Sequence, residues 1–194
     1  MKKILLIQLL LLLVLGSNGQ DRVISFAPTL NNAFHYQFVS GAASRNSKPG
    51  LNIGFEYIKS TINRVSYGYG LSYQLGRVGI VPAPVIEGEP HDEAVNLLSA
   101  SFKLVFNFRK NFYLSADPLV DLQLHSSSQK NISNQTGLGV SVGFGKRILF
   151  SDRFSIRIEP RLWVHNVVPF VDTTIPDRLT AIGLKAGLKF GSHK

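Results

Sequence analysis

Val65-Ser66-Tyr67-Gly68-Tyr69-Gly70-Leu71-Ser72-Tyr73-Gln74-Leu75 alternates without a break. Odd positions are Val, Tyr, Tyr, Leu, Tyr and Leu; even positions are Ser, Gly, Gly, Ser and Gln. Successive side chains of a strand point to opposite faces, so this stretch folds as a strand with one aromatic, apolar face and one small, polar face. Leu138-Gly139-Val140-Ser141-Val142-Gly143-Phe144-Gly145 repeats the pattern, as does Ile182-Gly183-Leu184-Lys185-Ala186-Gly187-Leu188-Lys189-Phe190. No segment after Gln20 shows a helical period.

Extending the same reading gives eight strands, near 22–39, 50–58, 64–76, 95–108, 112–125, 136–147, 153–165 and 178–190. Most reach the ~9–11 residues that a tilted strand needs to cross a bilayer. The links at 59–63, 109–111 and 148–152 are short. Those at 40–49, 77–94, 126–135 and 166–177 are long and rich in Gly, Pro, Ser, Asn and charge. Short and long links alternate, as expected when tight turns face the periplasm and long loops face outward.

Which face is apolar separates a membrane barrel from a soluble one. The polar face carries long ions, Glu56, Lys103, Asp117, Asp121, Arg157, Glu159, Arg161, Lys185 and Lys189. The opposite face is nearly uncharged and holds most aromatics, among them Phe26, Phe55, Tyr67, Phe102 and Phe144. An eight-strand interior is narrow. Bulky aromatics therefore suit a lipid-facing wall and Gly and Ser the interior. The expectation is an all-β, eight-stranded antiparallel up-and-down transmembrane β-barrel.

The N-terminus reads as an export signal: Lys2 and Lys3, an apolar run from Ile4 to Leu15, then small and polar residues to Gln20. The expected organisation is a cleaved signal over 1–20 and one barrel domain over 21–194. The chain has no cysteine, which excludes a disulfide framework, a thiol nucleophile and a thiolate metal site. Its formal charge of +9 falls to about +7 without Lys2 and Lys3. The basic residues form no cluster, so nucleic acid is not expected as a partner.

The residues resemble the outer-membrane β-barrel (porin-family) proteins common in Bacteroidota. The resemblance lies in Tyr67 to Tyr73, in Phe102-Lys103-Leu104-Val105-Phe106-Asn107-Phe108, in Lys110-Asn111-Phe112-Tyr113-Leu114-Ser115-Ala116 and in Gly137 to Gly145. It departs at Asp117, where such proteins often carry Gly, and at Ser99, near the place of a usual Pro. The resemblance implies an outer-membrane location and insertion by the barrel-assembly machinery, which would read the final strand ending at Phe190. It implies no reaction.

The nine inward ions, five basic and four acidic, are the candidate site. Near-balanced signs indicate mutual pairing, because a buried unpaired ion is costly. The expected protein is a monomeric envelope scaffold or surface-interaction module, with outer-membrane lipid around it and a surface ligand at its loops. No catalytic residue, cofactor or metal is expected. Three other readings stay open. One is a narrow porin-like passive channel. Another is an outer-leaflet lipid-modifying enzyme, using His35, His125 with Ser126, Ser127 and Ser128, or His165. The third is a secreted lipocalin-like binding barrel.

Val78-Gly79-Ile80-Val81-Pro82-Ala83-Pro84-Val85-Ile86 and Val167-Val168-Pro169-Phe170-Val171 are read as apolar loops, packing on one another or offering a surface. The acidic stretch around His91 has no metal-ligand spacing. Pro118 and Pro160 fall mid-strand on the outward parity and are read as bulges or as sites at the membrane boundary.

Overall fold

In the computed structural model, described for residues 21–35, 44–60, 64–82, 88–126, 132–151, 154–171 and 177–190, the alternating stretches become eight strands. They are β1 (Asp21–His35), β2 (Ser44–Ser60), β3 (Val65–Val81), β4 (His91–Asn107), β5 (Phe112–Ser126), β6 (Gly137–Leu149), β7 (Phe154–Pro169) and β8 (Asp177–Phe190). Each pairs antiparallel with its sequence neighbours, and β1 pairs with β8 to close the barrel. The fold is the expected eight-stranded up-and-down barrel. Closure leaves no sheet edge, which a hydrocarbon surround requires.

The short links and both ends of the strand series lie at one end of the barrel, here the turn end; the long links lie at the other. Several strands are longer than their alternation suggested. Residues 44–49, 77–81, 91–94 and 166–169, expected in loops, belong to strands. The reason is burial. Val78 and Ile80 turn inward and join Ala33, Val95, Leu97, Ile132 and Leu179 in an apolar cluster at the loop end of the lumen. The first of the two supposed apolar loops is thus partly interior. Positions 36–39, expected in the first strand, lie outside the described residues.

The wall is apolar outward and polar inward along its middle. Ile24, Phe26, Leu30, Val120, Phe144, Ile182 and Leu184 are all exposed, while Ser25, Glu56, Lys103, Asp117, Glu159 and Arg161 are buried. A water-soluble barrel has the opposite arrangement. Aromatics collect toward the turn end, where Phe112 stacks on Phe144 with centroids 5.7 Å apart and Phe154 meets Phe190 edge-on at 5.9 Å.

Three outward prolines interrupt the ladders. Pairing between β4 and β5 lapses between Ser101–Leu119 and Leu104–Ala116, at Pro118. It lapses between β6 and β7 at Pro160, and between β1 and β8 at Pro28. The register is the same on both sides of each gap, so Pro118 and Pro160 are not bulges. They remove an N–H from the ladder and leave the register unchanged.

Candidate functional site: the charged lumen

Inward parity on five strands delivers six of the nine predicted ions to one level of the interior. Lys103 Nζ on β4 lies 2.5 Å from Asp117 Oδ2 on β5 and 3.2 Å from Glu56 Oε1 on β2. Arg161 on β7 pairs through Nη1 with Asp117, and through Nη2 with Glu159 Oε1 at 2.6 Å. Lys185 on β8 pairs with Glu56 and stands 4.0 Å from Glu159 Oε2. The six groups close a ring of alternating sign, Glu56–Lys103–Asp117–Arg161–Glu159–Lys185, across the lumen. Its formal charge is zero.

Neutral side chains complete the ring's hydrogen bonds. Arg161 donates to Ser115 and, at 2.7 Å, to Ser141. Ser115 Oγ donates to Glu159 Oε1, and Tyr113 Oη donates to Glu159 Oε2 at 3.2 Å. Such satisfaction is needed, since removing two ions from water costs several kcal/mol each unless geometry and hydrogen bonds offset it. Gly143 makes the arrangement possible, because a Cβ there would overlap the Glu159 carboxylate. Beside the ring is a cavity of about 20 Å³, lined by Ser25, Asn52, Ser101, Asp117 and Ser141, with room for about one water.

The other three predicted ions lie apart from the ring. Asp121 accepts from Ser99 Oγ at 2.5 Å and lies 2.9 Å from His165 Nδ1. His165 Nε2 faces Gln74 Oε1 at 3.2 Å, and Gln74 Nε2 donates to Asn31 Oδ1 at 2.7 Å. This buried polar layer lies on the loop side of the ring. Lys189 pairs with Asp21 at 2.8 Å near the turn end, and Arg157 lies over the Tyr113 ring at 5.5 Å.

Apolar side chains fill the levels between. Trp163, with Ala27, Leu119 and Ala181, forms one buried cluster, and Val23, Ile58, Val105 and Tyr113 form another toward the turn end. At the loop end Gln135 is buried and holds the Leu179 N–H through Oε1 at 2.9 Å. Sequence reading missed Trp163, Tyr113, Ser115 and Gln74 as interior partners. Their inward parity was the available signal.

The histidine-based enzyme reading required a serine activated by histidine. His165 Nδ1 faces Asp121 and Nε2 faces Gln74, so both of its ring nitrogens are taken up in the buried polar layer. The side chains of His35 and His125 and residues Ser127 and Ser128 lie outside the described set. His91 Nδ1 lies 3.1 Å from the Glu89 carbonyl.

No family model matches the chain, and no curated protein matches it by sequence. Among solved structures it is similar to Neisserial surface protein A (NspA), at 17% identity over 90% of this chain and 98% of that one, with a TM-score of 0.50. It is also similar to the outer-membrane protein OprG from Pseudomonas aeruginosa, at 11% identity over 90% of this chain and 97% of that one, with a TM-score of 0.51. At these identities the likeness is one of fold.

Proposed function

We propose that this chain is an integral outer-membrane β-barrel of the porin-family type common in Bacteroidota, with a lumen closed to ions. In this reading it is exported by a signal over 1–20, inserted by the barrel-assembly machinery, and monomeric in outer-membrane lipid. Its short turns face the periplasm. Its role is that of an envelope scaffold, or of a module that presents its long loops to a surface ligand.

The observation that carries the closed lumen is the neutral ring Glu56–Lys103–Asp117–Arg161–Glu159–Lys185. Each ion already has partners of opposite sign, so a permeating ion would have to displace a protein charge from a buried pair. Apolar clusters on both sides of the ring add to the barrier. Open aqueous barrels generally have about 16 strands or more, twice the number here.

Planar-bilayer recording tests this reading. Protein that migrates as a folded, heat-modifiable barrel on gels is expected to give no stable conductance steps. Reproducible ion-sized steps from such protein contradict the closed lumen and favour the narrow-channel reading.

A further inference from the structure

The balance of charge along the lumen fails toward the turn end. The ring is neutral, and Asp121 faces His165. Toward the turn end, Arg147 of β6 and Arg157 of β7 are direct cross-strand partners. Like charges in that position repel.

Arg157 is only 5% exposed, yet among the described residues its Nε and Nη2 have no hydrogen-bond partner. The Arg147 Nε has none either, although its Nη2 donates to Asn107 Oδ1 at 3.5 Å. Ser155 Oγ, at the adjacent inward position of β7, is also buried and unpartnered. The carboxylates nearby are already engaged. Glu159 is held by Arg161, Ser115 and Tyr113, and Asp21 by Lys189. Three cations, Arg147, Arg157 and Lys189, therefore share, among the described residues, the field of Asp21, which Lys189 already pairs.

Buried donors without acceptors are costly, and a guanidinium fork matches the paired oxygens of a tetrahedral or planar oxyanion. We propose that Arg157, Arg147 and Ser155 form a binding site for a small oxyanion of the phosphate or sulfate class, inside the turn end of the lumen. The inward parity of Arg157 places the anion within the barrel, so its source is a free anion and not a lipid headgroup on the outer wall. The site does not depend on whether the lumen conducts.

The test is calorimetric titration of inorganic phosphate into the full chain, folded in nonionic detergent at fixed chloride. Saturable one-site binding is expected. Arg157→Gln is expected to weaken it about tenfold, equivalent to ~1.4 kcal/mol. Lys59→Gln removes the same charge from an exposed position on β2 and is expected to leave the affinity within about twofold, as a surface charge does. If Arg157→Gln does not fold, Arg157→Lys carries the test, since it keeps the charge and loses the fork; measurably weaker binding is expected. Absence of saturable binding, unchanged affinity in the Arg157 variants that fold, or an equal loss in Lys59→Gln overturns the site. Repeating the titration in nanodiscs of zwitterionic and of anionic lipid separates the two sources of phosphate. Equal affinity is expected, and competition by the anionic lipid overturns the assignment to a free anion.

Discussion

Arg161 ties together three strands of the interior. One guanidinium meets Asp117, Glu159, Ser115 and Ser141, drawn from β5, β6 and its own strand. Replacing it with Met leaves two buried carboxylates short of their partner, and breaking a buried pair in this way costs about 3–5 kcal/mol. Arg161→Met is expected to lose that much in chemical unfolding from lipid vesicles. Arg77→Met, at an exposed position on β3, is expected to stay within about 0.5 kcal/mol. Equal effects would mean that the ring adds no cohesion. At this scale the sequence was partly legible. Period two assigned Glu56, Lys103, Asp117 and Arg161 to the interior, because parity is a local property. It did not say which ions would meet. That depends on stagger between strands far apart in sequence, and it left Arg157 opposite Arg147.

Among the elements, the prolines show how a closed sheet accommodates a missing donor. Pro28, Pro118 and Pro160 all face outward, and each coincides with a lapse in one ladder while the other ladder of its strand continues. Pro118→Val restores an N–H opposite Phe102 and places a branched apolar side chain on the lipid-facing wall. A gained backbone hydrogen bond is worth about 1 kcal/mol net, and an unmade one costs more in hydrocarbon. The variant is expected to unfold at higher denaturant and to show a protected amide at position 118. Lower stability with a fast-exchanging amide there would contradict the assigned gap. Outward parity was readable for Pro118 and Pro160, but the form of the interruption was not. A bulge and a register-preserving gap have the same residue pattern. Strand ends were also hidden. Val78 and Ile80 are apolar and inward, so they lack the polar-inside pattern that marked the middle of the strands.

The whole molecule is an inverted barrel: an apolar wall outside, and an interior built in layers. From the loop end these are the apolar cluster around Val78 and Leu97, the polar layer of Gln74, His165 and Asp121, the cluster around Trp163, and the neutral ring. Below them come the cluster around Tyr113 and a basic turn end. The wall and the strand count were legible because both follow from period two and link length. The layering was not, because it emerges only when eight strands are closed at a fixed stagger. The most direct test of the inverted, closed barrel is residue-resolved NMR of the unmodified protein in lipid bilayers, with magnetisation transferred separately from acyl-chain protons and from water. Acyl-chain transfer is expected at Ile24, Phe26, Leu30 and Leu184, with only slow water transfer at Ser25, Ala27 and Thr29. Water transfer at those inward residues as fast as at exposed loops, or at Ile24 and Leu184 in place of acyl-chain transfer, would contradict it.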